Sequence, residues 1–317
     1  RFTDWSSGSY AKGATYSIPP CRLIHIDIDP HEIGKTYPTE VGIVADAKAA
    51  LEAMVSGISG KQSADCLARR ATYHDEIAKA KQAWLDMLAP RWNDSSTPFT
   101  FQYPYKILRE VMQRDGILVV GSGNTQGAVK QSFPIYEPRT HLTSGGYSPM
   151  GWAFPAALGA KLANPDQQVC AIMGDGDFMM SCAELGVAAM NNIPIVIVVQ
   201  NNSGYMSIRG GQRKFLGRAT ASTFSYHHKD NEEPYSADIS ALAKTFDVPS
   251  WKITEADQLK PAYEAAFASG GPALVEVITS RDAAGPFVPG WWDLPSPDYY
   301  HAEYAEYRPM REKEQHL

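Results

Sequence analysis

Gln168-Val-Cys-Ala-Ile-Met-Gly-Asp-Gly-Asp177 is an apolar run that stops on a carboxylate set between two glycines, and Pro194-Ile-Val-Ile-Val-Val-Gln-Asn-Asn202 repeats the pattern with two amides at its end. Runs of branched residues without polar alternation predict strands that are dry on both faces, the situation of a parallel sheet covered by helices. Working outward, apolar residues at helical spacing over 104–114, 152–163, 178–190, 236–246 and 257–268 alternate with strand-sized runs at 116–120, 168–173, 194–200, near 250 and 273–278. That alternation predicts an α/β fold, a doubly wound parallel sheet with helices on both faces.

The earlier part reads differently. Arg22 to Asp29 (RLIHIDID) alternates branched and polar residues and then meets Pro30, which predicts a buried strand delivering Asp27 and Asp29 to a loop. Helical spacing follows over 46–55 and 63–88, with Asp46 and Ser63 as N-caps. The polar, Pro-containing stretch 90–100 (PRWNDSSTPFT) predicts a linker. The chain therefore divides into 1–90, a linker at 91–102, and 103–317.

Its 317 residues suit about two domains. With 29 Lys and Arg against 35 Asp and Glu, scattered along the chain, no basic stripe is present to neutralise a phosphate backbone, and a nucleic-acid partner is excluded. The longest apolar stretch, Ile193 to Val199, is too short to span a bilayer, so a soluble protein is expected. Cys21, Cys66, Cys170 and Cys182 show neither zinc-ligand spacing nor a disulfide framework, and a reducing cytoplasm is the expected compartment. The opening Arg1-Phe-Thr-Asp-Trp5, without an initiator Met, reads as part of something longer.

In an open α/β sheet, ligands bind outside the carboxyl ends of the strands. There the sequence places Gly121-Ser-Gly-Asn-Thr-Gln126, Gly174-Asp-Gly-Asp177 and Asn201-Asn-Ser-Gly204. Glycines admit close backbone approach, and a following helix aims free N–H groups at an anion. One carboxylate with neutral oxygens suits a hard cation such as magnesium completed by phosphate oxygens; Asp175, the Asn202 amide and the Gly204 carbonyl can serve. The stretch 203–235 is long for a connection and reads as a lid.

Gly174-Asp-Gly176, then 24 residues, then Asn201-Asn202 resembles the thiamin diphosphate fingerprint. Ser144-Gly-Gly-Tyr-Ser-Pro-Met-Gly-Trp-Ala-Phe-Pro-Ala-Ala-Leu-Gly-Ala160, Gly174-Asp-Gly-Asp-Phe-Met-Met180 with Glu184-Leu185, and His25-Ile-Asp-Ile-Asp-Pro-His-Glu-Ile-Gly-Lys35 resemble the acetolactate synthase-like group of thiamin diphosphate enzymes. The resemblance implies that residues from about 100 onward form the diphosphate-binding domain and that residues 1–90 are the latter half of a Rossmann-like central domain. It implies thiamin diphosphate and Mg2+ as cofactors, with Asp175, Asn202 and the Gly204 backbone oxygen on the metal. By the same resemblance Gly121, Ser122, Asn124, Gln126, Gly146, Tyr147, Ser148, Met150, Gly174, Gly176, Asp177, Tyr205 and Met206 are expected to line the cofactor. Met150 matches the bulky catalytic residue that keeps the cofactor bent.

Asp177 departs from the group, where a small residue such as Ser is common; it would place a second carboxylate near the phosphate, or point to solvent or to a neighbouring amide. The group's pyrimidine-binding domain, with the glutamate that protonates the cofactor ring, precedes the central domain and is missing from these 317 residues. A partner chain or upstream region, and a homo- or hetero-oligomer, are expected to supply it. The implied reaction is C–C bond cleavage or ligation on a 2-oxo acid or 1,2-diketone, of acetolactate synthase type or of cyclic 1,2-dione hydrolase type. Gly146-Tyr-Ser-Pro-Met150 and Trp291-Trp-Asp-Leu-Pro295 lean to the latter. A non-catalytic or regulatory half is the rival reading. Met150 reads as wedge or as core filler, Asp27 and Asp29 as ligands of FAD or ADP or as turn-formers, and His227 and His228 as substrate contacts or solvated loop residues.

Overall fold

Asp46 accepts the Ala49 amide and starts the first long helix, as its sequence predicts. The computed structural model describes residues 16, 18–61, 63–145, 147–226, 228 and 233–283. It divides into two units, one running to Leu85 and the other from Asp86. In the first, β1 (Ile24–Asp27) pairs in parallel with β2 (Val41–Val44), followed by α1 (Ala47–Ile58) and α2 (Ala64–Trp92). α2 runs through the division. Strand β2, interrupted by Gly42, carried no clear strand pattern. The expected burial of β1 is corrected: among the described residues its sheet has two strands, Ile24 is 53% and Ile28, just beyond it, 72% exposed, and His25 is the strand's buried residue.

The second unit continues with α3 (Gln102–Val111), β3 (Ile117–Val120), α4 (Asn124–Ser132), β4 (His141–Thr143), α5 (Ala153–Ala163), β5 (Val169–Gly174), α6 (Asp175–Met179), α7 (Glu184–Met190), β6 (Val196–Asn201), α8 (Met206–Leu216), α9 (Ile239–Lys244), β7 (Ser250–Ile253), α10 (Ala256–Ala268) and β8 (Ala273–Ile278). All six strands are parallel, in the order β4-β3-β5-β6-β8-β7. Strand periodicity sends alternate residues to opposite faces. Leu118, Val120, Cys170, Ile172, Val196, Val198 and Val275 pack with α3, α4 and α10, whereas Ile117, Val119, Ala171, Met173, Ile197, Val199 and Leu274 pack with α5, α6, α7 and α9. Both faces are dry, so the doubly wound sheet expected from the apolar runs is the fold. Among the described residues no helix is long and apolar enough to cross a membrane.

Three expectations change. The helix expected over 178–190 is two helices, α6 and α7; the i to i+3 bonds from Ser181 N to Phe178 O, Glu184 N to Ser181 O and Leu185 N to Cys182 O tighten the chain between them. Its start moves back to Asp175, where two acidic residues in the first turn suit the positive end of a helix. The loop expected over 203–235 holds α8, and isolated bridges pair Gly204 with Thr223 and Ser225 with Pro234. In the stretch read as a linker, α2 reaches Trp92, and Phe99 and Phe101 are buried in the core of the second unit. Phe99 N donates to Ile278 O and Phe99 O accepts from Ser280 N, so two aromatics override the polar composition around them.

Candidate functional site

The chain leaves β3 toward the β4 edge and leaves β5 in the opposite direction, with α4 on one face and α6 and α7 on the other. The carboxyl ends of β3 and β5 therefore flank the switch point of the sheet, where an open α/β fold has its ligand crevice. Residues 121–124 and 174–177 lie there by construction, and β6 brings residues 201–204 alongside β5.

Asp175 is buried, and its Oδ2 accepts the Gly204 amide at 3.0 Å. Burial raises its carboxyl pKa to about 6, opposed by main-chain donors at Gly176, Gly204, Ser203 and its own amide. Asn201 is the structural member of the amide pair: its Nδ2 donates to Glu276 Oε1 at 2.6 Å and its Oδ1 accepts Ser203 N at 3.1 Å. Asn202 is buried with no partner for Oδ1 among the described residues. The carbonyls of Asn202 and Ser203 accept from Arg281, and that of Ser203 also from Phe224 N. No donor among the described residues reaches the Gly204 carbonyl. The oxygens left over are the Asn202 amide oxygen and the Gly204 carbonyl, and the Asp175 carboxylate faces the same turn. A buried carboxyl held only by main-chain amides, beside two unused neutral oxygens, is a donor set that fits a hard divalent cation.

Of the alternatives the sequence leaves for Asp177, the structure shows hydrogen bonds to neighbouring amides. Asp177 is buried; Oδ2 accepts Ser122 N at 2.8 Å and Oδ1 accepts Gly151 N. The carboxylate thus ties the loop after β3 to the turn before α5 and is turned onto protein amides rather than toward an anion. Burial raises its pKa, against those two amides. A Cβ on Gly121 would stand 2.2 Å from Asp177 Oδ2, which explains the glycine there. Ser122 correspondingly gives its amide to Asp177.

Asn124 and Gln126 open α4, with Gln126 Nε2 donating to Thr143 Oγ1. Met150 is partly buried beside Gly151; Ser148 has φ of 45° and Tyr147 is 93% exposed. Gly174 caps α6. A Cβ on Gly176 would meet the Tyr205 ring at 2.4 Å, so Tyr205, stacked edge-on against Phe224, packs the back of the glycine turn, and Met206 is buried beneath Gly204. Asp27 Oδ1 accepts Asp29 N and Asp29 Oδ1 accepts His31 N, each at 2.9 Å, so both carboxylates form turns after β1. His228 is exposed, its ring edge-on to Tyr226. Gly146, His227 and residues 291–295 lie outside the described residues.

Sequence reasoning missed Glu276 and Arg281. Glu276 is fully buried in a strand that reads as apolar, and it orients Asn201 while accepting Ser240 N at 2.9 Å. Arg281 follows the carboxyl end of β8, and that position was the available signal.

The description "Thiamine pyrophosphate enzyme, C-terminal TPP binding domain" matches residues 121–277, and "Thiamine pyrophosphate enzyme, central domain" matches residues 1–54. The chain belongs to the thiamine pyrophosphate enzyme family. Similar curated proteins of this kind are acetolactate synthase 2 of Zea mays, 32% identical over 81% of this chain and 39% of the relative, and glyoxylate carboligase of Escherichia coli O157:H7, 31% identical over 89% of this chain and 47% of the relative. The chain thus spans less than half the length of these relatives. A solved thiamine pyrophosphate enzyme, the thiamine diphosphate-dependent 4-hydroxybenzoylformate decarboxylase of Rhodococcus jostii, shares the fold with a TM-score of 0.61 at 23% identity, over 83% of this chain and 45% of that one.

Proposed function

We propose that this chain supplies the diphosphate- and metal-binding half of a thiamin diphosphate-dependent enzyme that forms or breaks a C–C bond beside the carbonyl of a 2-oxo acid or 1,2-diketone. The observation that carries the reading is the set of unused oxygens at the switch point. Asp175, Asn202 Oδ1 and the Gly204 carbonyl would hold Mg2+. The amides that open α4 at Asn124 would face the diphosphate. When bound, the cofactor supplies a nucleophilic carbon and an electron sink for the carbonyl substrate.

The chain's own residues then have separable tasks. Main-chain donors fix the Asp175 carboxylate before a cation arrives, so little reorganisation is needed on binding. Asp177 holds the turn carrying Met150 against the loop after β3, and Met150 sets the shape of the bound cofactor. The relatives' names favour ligation of 2-oxo acids over dione hydrolysis. A partner chain or further region would supply the pyrimidine-binding face, and an oligomeric enzyme follows from that division. Asp27 and Asp29 form their turns through Oδ1, which supports the turn-forming reading of these two residues, and FAD or ADP at the central domain is a separate part of the proposal. Four free cysteines support a reducing, cytoplasmic setting. The rival, a regulatory half without chemistry, is disfavoured because the cation-binding oxygens are intact.

The test is carboligation of pyruvate or glyoxylate by the complete enzyme, with and without thiamin diphosphate and Mg2+. Cofactor-dependent product is expected. Turnover that does not require both additions would overturn the reading.

A further inference from the structure

Arg281 sits where an anion-binding arginine is expected, after the carboxyl end of a strand, yet its contacts are to main-chain carbonyls. Nε donates to Asn202 O at 3.3 Å, and Nη2 donates to Ser203 O at 3.2 Å and to Phe224 O at 2.9 Å. Its own carbonyl accepts from Arg209, which also pairs with Asp282. We infer that Arg281 is a positioning residue for the cation turn, one whose planar fork occupies the carbonyls of Asn202 and Ser203 so that the Gly204 carbonyl and Asn202 Oδ1 are the acceptors left to face the metal.

A flexible turn offers a cation several carbonyls in several registers, and a small cation of strict octahedral geometry tolerates few of them. Ser203 has φ of 56°, a left-handed conformation that a side chain seldom adopts without external support. The guanidinium gives that support from one rigid plane, whereas the three donors of a lysine share one nitrogen and do not form a planar fork. The third contact, on Phe224 O, ties the turn to the segment after α8. That segment is further held by Phe224 N on Ser203 O at 2.9 Å and by Tyr205 N on Ser222 O at 2.8 Å. It also walls a cavity of about 360 Å³ that reaches Asp175, Asn201, Thr223, Phe224 and Tyr235.

Charge and position make opposite demands. A guanidinium near a divalent cation repels it, so by charge alone removing Arg281 would tighten metal binding. Removing a group that orients the ligands costs roughly 10–100-fold in metal affinity. The sign of the change therefore separates the roles.

This inference rests on the proposed cofactor site, and the experiment separates the two. In the complete enzyme, Mg2+ is titrated at saturating thiamin diphosphate by calorimetry for the wild type, Arg281→Ala and Arg281→Lys, with hydrogen exchange followed at the Tyr205 and Phe224 amides. The half-saturating Mg2+ concentration should rise about tenfold or more in Arg281→Ala and by a smaller factor in Arg281→Lys, with faster exchange at both amides. If Arg281→Ala does not fold, the Arg281→Lys titration decides alone. Unchanged or tighter Mg2+ binding in the variants would overturn the positioning role. A wild type that binds no thiamin diphosphate with Mg2+ would instead overturn the proposed function.

Discussion

Gly121→Ala perturbs the site through one carboxylate. The added Cβ would lie 2.2 Å from Asp177 Oδ2 and 2.8 Å from Met173 Cβ, so Asp177 must swing away. Its two hydrogen bonds, to Ser122 N and Gly151 N, are then lost. Hydrogen bonds to a charged group contribute roughly 1.5–3 kcal/mol each, so the substitution should cost about 4–8 kcal/mol, about 3–6 from the two bonds and about 1–2 from overpacking against Met173. Asp177→Ala removes the same two bonds and should cost about 3–5 kcal/mol by leaving two buried amides unpaired. In the double variant the bonds can be lost only once. Adding Gly121→Ala to Asp177→Ala should cost only the Met173 contact, a coupling of about 3–5 kcal/mol. For a unit of this size that is on the order of 10 °C in Tm, readable by differential scanning calorimetry of the cofactor-free enzyme. Additivity of the two single variants to within about 0.5 kcal/mol would refute the clamp.

Three further outcomes are expected. Glu276→Gln replaces an acceptor with an NH2 group facing either Asn201 Nδ2 or Ser240 N, and should destabilise the protein by about 2–4 kcal/mol; a urea midpoint equal to wild type would contradict that. The Asp175 carboxyl, raised to about 6, lets the native cofactor-free protein bind a proton that the unfolded chain has released, so stability is lost as pH rises from about 4 to 6. Asp175→Asn should flatten that decline in Tm, and an identical pH profile would count against it. Met150→Ala should slow hydrogen exchange at the cofactor's reactive carbon in the complete enzyme while leaving cofactor affinity within a few-fold, and equal exchange rates would return Met150 to a packing role.

The sheet was legible because its strands are apolar on both faces and separated by helices, a pattern set by burial alone. Short edge elements were not. β4 has three residues, and β2 carries Gly42, so neither holds enough pattern to rise above loop. α8 was hidden by Gly210, Gly211 and five polar residues within its eleven positions. Asp175 and Asn202 could be read from their place after apolar strands and from the fingerprint they resemble, and the task of Asn201 could not. It takes the partners of Asn201 to show which amide is structural. Asp177 shows the same limit, since its type left an anion, solvent or a neighbouring amide open and its orientation toward two amides depends on loops brought together from residues 122 and 151. Arg281 and Glu276 act through main-chain carbonyls and a buried amide, contacts that leave no mark in residue spacing.

The most direct measurement is calorimetric titration of thiamin diphosphate into the complete enzyme, with Mg2+ and after its removal by chelation, for the wild type, Asp175→Ala and Asn202→Ala. Saturable binding that requires Mg2+ is expected for the wild type, and each variant should lose it, because each takes away one of about three protein oxygens on the cation. Thiamin diphosphate binding of equal affinity with and without Mg2+, or undiminished in both variants, would contradict the assignment.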